Sequence, residues 1–514
     1  MTHADAGILP HRRPLQDVGL FAGPLLALLV GVTLPETYMD AAGEIVSLSA
    51  AGRTTAAVAV WMASWWLSEA ISVYATALLP LVLLPLLGAA SMKAAAAPYA
   101  HELIFLFMGG FMIALAMERW GLHRRVALVT LRLVGNRPTH VVGGFMFVTA
   151  ALSMWVSNTA TAIMLLPVAT SVVSLVARQH GAATAAEAVV DPTSPLRNFA
   201  LCLLLGIAYS ASIGGLATPI GTPPNVLLLS YAKTQLGHEI SFARWMGVAL
   251  PLVVMLLPLC WLLLTRVLYR IRLGPIEGGR RLFTRALHEL GPLNRGERSV
   301  LVIFLLAAGS WIARPLLGQI ELAGSRPFAG LTDAGIAMIA AMLLFVAPGE
   351  RRPRRFALDW ETAMKLPWGI LLLFGGGLSL AAAIQGNGVG EFLASLVADL
   401  AGTPSLVIVL SVVTGVVFLT ELTSNTATTA TLLPVLAALA PGLGLEPLIL
   451  IVPAALAASC AFMLPVATPP NAIVFSSGLV RMSEMSRAGF WLNWLAIALI
   501  TGLVYAVVIP TLSN

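Results

Sequence analysis

Leu419-Thr420-Glu421-Leu422-Thr423-Ser424-Asn425-Thr426-Ala427-Thr428 decides how this chain is read, because the chain contains a second copy of it. Ser153-Met154-Trp155-Val156-Ser157-Asn158-Thr159-Ala160-Thr161 lies 267 positions earlier, and both copies run on into Leu-Leu-Pro-Val, at Leu165 to Val168 and Leu432 to Val435. The same offset carries Phe107 onto Phe374, Gly109 onto Gly376 and Gly110 onto Gly377. One offset holding from Phe107 to Val168 is an internal repeat, not a chance tripeptide. Each copy sets Ser, Asn and Thr side by side inside a long apolar stretch, where polar groups cost most and need a purpose.

The surrounding composition says what kind of molecule carries the repeat. Of 514 residues, 58% are hydrophobic and 11% charged, with a mean hydropathy of +0.89. Soluble domains carry about 25% charged residues, so the chain reads as an all-α integral membrane protein whose length counts crossings of roughly 20 residues each. The net charge of +6 is no nucleic-acid footprint, since the arginines sit in short clusters between apolar segments. Cys202, Cys260 and Cys460 fall inside apolar segments without disulfide or metal spacing and read as small core residues. The first apolar run lacks an Ala-x-Ala site after it and is expected to be a retained helix.

Apolar segments predict helices near 18–34, 54–70, 72–89, 102–118, 198–232, 245–268, 299–317, 331–347, 367–385, 445–480 and 489–511. Two further stretches, 138–177 and 404–440, centre on the Ser-Asn-Thr motifs. Each is either two crossings or a re-entrant hairpin, and a polar turn at membrane depth favours the hairpin. Eleven crossings with a cytoplasmic N-terminus and an external C-terminus put 24 of the 30 Lys and Arg on the inner side. Only Arg53, Lys93, Lys233, Arg244, Arg314 and Arg326 fall outside, a strong positive-inside pattern. Five crossings separate equivalent helices, so the repeat is expected to be inverted, with binding elements where the halves meet. Residues 119–134 read as an amphipathic helix on the inner face and 386–401 as its outer counterpart. Segments 270–298 and 348–365 read as cytoplasmic loops and interfacial helices.

A second duplicated pair follows the first. Ala217-Thr218-Pro219-Ile220-Gly221-Thr222-Pro223-Pro224-Asn225 and Met463-Leu464-Pro465-Val466-Ala467-Thr468-Pro469-Pro470-Asn471 each interrupt a long helix. Adjacent prolines remove two amide donors and clash with the preceding turn, so the helix must break. Two hairpin tips and two breaks are thus expected close together near mid-membrane. Helix N-termini following each tip and break offer amides to an anion. Unwound carbonyls with Ser, Thr and Asn oxygens suit a hard cation such as Na⁺. No Lys, Arg or His occurs from Leu366 through Val480, so a bound anion would rely on amides, hydroxyls and co-bound cations.

The paired Ser-Asn-Thr and Thr-Pro-Pro motifs resemble the divalent anion:sodium symporter family, the dicarboxylate and citrate carriers called DASS or INDY-type, over residues of about 100 to 511. The resemblance implies eleven transmembrane helices plus two re-entrant hairpins, a homodimer held by a scaffold domain, and a transport domain that moves as an elevator. It implies substrate contacts from Ser157, Asn158, Thr159, Ser424, Asn425, Thr426, Thr468 and Pro469. It implies one Na⁺ site at Ser153, Ser157, Asn158 and the Gly221 carbonyl, and another at Thr420, Ser424, Asn425 and the Ala467 carbonyl. Ser153 and Thr420 each stand one helical turn before their motif's serine, as such a site requires. Ala467 stands where the first break has Gly221, a mild departure.

The expected division is a cytoplasmic segment 1–17, scaffold helices and an interfacial helix in 18–134, and a first transport half in 135–270. That half holds the inner hairpin 138–177, the broken helix 198–232 and the helix 245–268. A cytoplasmic loop, the remaining scaffold helices and an interfacial helix fill 271–403. The second transport half, 404–514, holds the outer hairpin 404–440, the broken helix 445–480 and the C-terminal helix 489–511. The function expected is import of succinate-, malate- or fumarate-like dicarboxylates with Na⁺, at least two ions, across the plasma membrane. The alternatives are a Na⁺-independent dicarboxylate exchanger, or citrate or sulfate as main substrate.

A lone Ser-Asn-Thr would serve as hydrogen-bonding glue between helices, and only its duplication beside a broken helix argues otherwise. Gly109-Gly110 and Gly375-Gly376-Gly377 read as close-packing sites. Glu421, the one acid within a hairpin, stays open between a coupling role and a structural one. No nucleophile–base or metal constellation lies in the apolar segments, which argues against an enzyme.

Overall fold

The computed structural model describes residues 14–39, 44–180, 195–321, 325–351 and 354–512. The expected cytoplasmic segment 1–17 therefore lies outside the described residues up to position 13, as does most of the polar insertion after Arg178.

Both motif-bearing stretches fold as a helix, a short turn and a second helix. The first runs Pro138–Ser153 and Asn158–Gln179, the second Ser405–Thr420 and Asn425–Gly442. Sixteen residues per leading arm make roughly 24 Å of helix, short of the hydrocarbon thickness of about 30 Å. By length and apolar composition alone, eight helices among the described residues can cross a membrane, and shorter apolar helices include Asp333–Val346 and Pro447–Ala458.

The two interrupted helices break where the prolines demand. Pro195–Gly215 stops, residues 216–222 unwind, and Pro223–Gln235 resumes. Pro447–Ala458 stops, residues 459–468 unwind, and Pro469–Ser476 resumes. In both cases the prolines occupy the first two helical positions, where a missing amide costs nothing. They end one helix by starting the next.

The halves interlock through these pieces. Pro223–Gln235 packs on Asn425–Gly442 and Pro447–Ala458, while Pro469–Ser476 packs on Asn158–Gln179 and Pro195–Gly215. Phe107 and Phe374, equivalent under the 267-residue offset, meet edge to face with ring centroids 5.1 Å apart. Beside these rings, glycines let other segments come close. A Cβ on Gly109 would lie 2.6 Å from the Ala337 backbone, and one on Gly376 would lie 2.3 Å from the Ala77 carbonyl oxygen.

Several expectations need local correction. The predicted helix 72–89 is interrupted between Val73–Thr76 and Leu79–Leu86, because Gly376 presses on Ala77 and the Tyr99 hydroxyl bonds its carbonyl. The all-α reading misses two ribbons, Thr37–Met39 with Ile45–Ser47 and Pro348–Arg351 with Arg354–Phe356. The second ribbon takes up part of the expected interfacial stretch 348–365, leaving only the single turn Trp360–Ala363 helical. Residues 386–401 form Val389–Ser395 and a short 3-10 turn, Ala398–Leu400. On the other side, Leu122–Leu133 forms as expected, with apolar residues on one face and Arg124, Arg125 and Arg132 among the rest.

Candidate functional site

All four irregular elements are followed by a helix whose N-cap is a motif residue: Ser157, Thr222, Ser424 and Thr468. Ser and Thr suit that position because a side-chain oxygen can accept an otherwise orphaned amide. Ser157 Oγ accepts from Ala160 N at 3.1 Å, and Thr468 Oγ1 accepts from Asn471 N at 3.4 Å. At the breaks, prolines 223, 224, 469 and 470 have no amide, so the expectation of free donors at every helix start fails there. Asn158, Thr159, Asn425 and Thr426, at the helix starts after the tips, keep their amides.

Beneath each tip lies an oxygen cluster. The Ser153 hydroxyl lies between Asn158 Oδ1 and the Ala211 carbonyl, 2.7 Å from the latter. In the second half, Thr420 Oγ1 lies 2.8 Å from Asn425 Oδ1 and 2.9 Å from the Ala458 carbonyl. One hydroxyl proton cannot serve two acceptors, so each cluster holds more lone pairs than protons, the donor set a hard cation takes. Gly221 joins the first cluster. A Cβ on Gly215 would meet Asn158 Oδ1 at 2.9 Å and the Gly221 carbonyl at 3.0 Å, so both oxygens face one point that only glycine leaves open. For Ala467 no contact with the second cluster is found among the described residues; its amide donates to the Leu464 carbonyl at 3.2 Å.

Ser157, Asn158, Thr159, Ser424, Asn425 and Thr426 are all half-buried, Thr222 and Thr468 are buried, and Pro469 is exposed. Among the described residues no hydrogen bond joins the two tips directly. The helices they begin are each packed on the post-break helix of the other half.

Four further residues hold the site. Asn225 Nδ2 donates to the carbonyls of Gly215, Leu216 and Thr218, and Asn471 Nδ2 to those of Ala461 and Leu464. Both are wholly buried and each leaves its Oδ1 without a partner. Glu421 accepts amides from the second break and from Asn493. Trp155, at the first tip, stacks on Phe242, which in turn stacks on Trp311 of Arg295–Leu317 with centroids 4.6 Å apart. Its counterpart at the second tip, Leu422, is 75% exposed. The sequence held a signal for the two asparagines, since both Thr-Pro-Pro runs end on one.

Around the ends of these helices runs an ion-pair network. Lys233 pairs with Glu102 and Glu239, and Arg314 with Glu239 and Asp333. The Arg314 hydrogen bond, with Lys233 adding to it, holds the Glu239 carboxyl below its ordinary 4.5.

Paired polar tips and paired broken helices, with oxygen clusters under the tips and, among the described residues, no basic side chain paired with them, define a membrane transporter built from two repeated halves. The chain belongs to the family described as sodium:sulfate symporter transmembrane region, which matches residues 41–512. It is 41% identical over 500 residues to a Staphylococcus saprophyticus protein named sodium-dependent dicarboxylate transporter SdcS, covering 97% of this chain and 92% of that one. The protein of the same name from Staphylococcus aureus is 42% identical over 494 residues, covering 96% and 91%. Among solved structures, the fold is similar to the Alcanivorax borkumensis YdaH transporter, with a TM-score of 0.59 at 15% identity, covering 96% of this chain and 98% of that one. The Neisseria gonorrhoeae MtrF structure gives 0.57 at 11%, covering 97% and 95%.

Proposed function

We propose that this protein is a secondary transporter that imports small dicarboxylates of the succinate, malate and fumarate class together with Na⁺. The observation that carries the reading is the pair of repeat-related oxygen clusters, Ser153 with Asn158 and Thr420 with Asn425, each short of protons. The names of the relatives at 41–42% identity support both the cation and the dianion.

The site accounts for coupling by charge. A dianion held by amides and hydroxyls at membrane depth has no arginine to neutralise it, and an isolated charge there is prohibitive. A cation in each cluster supplies the missing positive charge, so ion and dianion each lower the cost of the other. Ser157, Asn158 and Thr159 with Ser424, Asn425 and Thr426 meet the two carboxylates, while Thr468 and Pro469 close one side of the pocket. Ser153, Ser157, Asn158 and the Gly221 carbonyl hold one Na⁺. Thr420, Ser424, Asn425 and the Ala467 carbonyl hold the second. In the further reading, eleven crossings enclose two re-entrant hairpins. Residues 135–270 and 404–514 move as one body against a scaffold formed by 18–134 and 271–403, and the scaffold makes a homodimer in the plasma membrane.

The test is uptake of labelled succinate into proteoliposomes, empty or preloaded, with and without an inward Na⁺ gradient. Uptake by empty vesicles that follows the Na⁺ gradient is the expected result. Uptake that ignores Na⁺ and requires internal substrate would overturn symport, and sulfate displacing succinate at lower concentration than malate would overturn the substrate class.

A further inference from the structure

Glu421 sits beside Thr420 and is 3% exposed. Its Oε1 accepts from Phe462 N at 2.7 Å and Met463 N at 2.9 Å, and its Oε2 from Met463 N at 3.0 Å and Leu464 N at 3.1 Å. Asn493 Nδ2 adds a further donor to Oε1 at 2.8 Å. Every partner is a donor. The main-chain amides of Phe462, Met463 and Leu464 can only donate, and together they reach both carboxyl oxygens, which is the geometry of a carboxylate. Among the described residues, no Lys, Arg or His pairs with it.

The first half has no such group, since position 154, equivalent to Glu421, is a methionine. There the chain satisfies itself: Leu216 N and Ala217 N bond the Ile213 and Gly214 carbonyls just past the helix end. In the second half, the amides of 462–464 have left the helix and the carboxylate takes the place of those carbonyls. This permits the longer unwound stretch, 459–468 against 216–222. It also fixes the peptide at Leu464. Leu464 gives its amide to Glu421, while its carbonyl accepts from Ala467 N and from Asn471 Nδ2 at 3.0 Å.

Resting on the Na⁺-symport reading above, we infer that Glu421 is the fixed counter-charge of the second cation site, making that site the stronger of the two and the first to fill. An unpaired negative charge in a low-dielectric interior draws a cation to the nearest oxygen cluster, and Thr420 of that cluster is its chain neighbour. The first cluster, flanked by Met154, has only dipoles. The repeat therefore supplies two sites of one geometry and unequal charge, which orders the binding: the second-site cation, then the first, then the dianion they jointly attract. Glu421 acts through the site's ligands as a positioning and charge-setting residue.

The experiment follows the rise in melting temperature with Na⁺, without substrate, for purified full-length protein and its Glu421→Gln and Glu421→Asp variants. The glutamine variant is expected to need about tenfold more Na⁺ or above for the same rise, and the aspartate variant to recover part of the loss. Transport KM for succinate at saturating Na⁺ should stay close to the unmodified value. A Glu421→Gln curve that superimposes on the unmodified one overturns the inference, as does an aspartate variant no better than glutamine. Should both variants fail to fold, Leu422→Cys and Ile220→Cys report on the unaltered acid, because the natural cysteines are buried. Na⁺ should protect position 422 from a maleimide at lower concentration than position 220, and equal midpoints overturn the ordering. Unmodified protein whose uptake ignores Na⁺ would sink the transport reading itself. Na⁺-driven uptake with an unchanged Glu421→Gln titration would sink only this inference.

Discussion

Ser153 and Thr420 each offer one hydroxyl proton to two oxygens, and the surplus lone pairs are what a cation would use. Asn158 and Asn425 supply the side-chain oxygen in each case, at tips that are half-buried and support little else. Asn158→Ala or Asn425→Ala should therefore remove roughly 1–3 kcal/mol of cation binding. That raises the Na⁺ concentration for half-maximal uptake by about 5- to 150-fold, with expression and melting temperature little changed. Near-normal Na⁺ dependence in either variant would remove that residue from the site. These residues were legible because neither chance nor glue between helices repeats a polar triplet at a fixed offset through apolar sequence. The partners of Glu421 were not. Its donors lie at 462–464 and 493, and nothing in the chain marks a main-chain amide as lacking a carbonyl.

At the scale of the element, the breaks were legible from the paired prolines, whose chemistry forbids a continuous helix whatever surrounds it. What the prolines leave open is how far each helix unwinds, because that depends on groups from other elements. Asn225 and Asn471 show this, each folding an unwound segment around its amide nitrogen. Alanine at either position removes a donor shared by buried carbonyls, at about 1–3 kcal/mol. Unlike the tip variants, Asn225→Ala and Asn471→Ala should lower the melting temperature of the purified protein even without Na⁺. An unchanged melting temperature alongside lost Na⁺ stabilisation would mean that these asparagines act as ligands and not as braces. The same dependence on neighbours explains the missed ribbons and the interrupted 72–89 helix. Strands of three or four residues carry too little alternation to read, and Ala77 yields to a glycine 299 positions away, Gly376.

Across the whole molecule, the repeat offset found in the sequence returns as a physical contact, Phe107 against Phe374. If the proposed division into a moving body and a scaffold holds, two side-chain contacts among the described residues lie across it. The Trp155–Phe242–Trp311 stack ties the first tip to Arg295–Leu317. The Lys233–Glu102 pair, extended by Glu239, Arg314 and Asp333, ties the first post-break helix to Glu102–Trp120 and Asp333–Val346. The Lys233–Glu102 pair keeps about a third of each side chain exposed, and such ion pairs are individually weak, about 0–1 kcal/mol, so it can hold one arrangement and still release it on the timescale of transport. If residues 135–270 slide against 18–134, Lys233 and Glu102 must part in every cycle. Glu102→Cys with Lys233→Cys, bridged by Hg²⁺, should then stop uptake, and excess thiol should restore it. The single variants should be insensitive to the same treatment, because the natural cysteines are buried. Full uptake by a protein shown by mass to carry the bridge would mean that these segments travel together, and the boundary between moving and fixed parts would have to be drawn elsewhere.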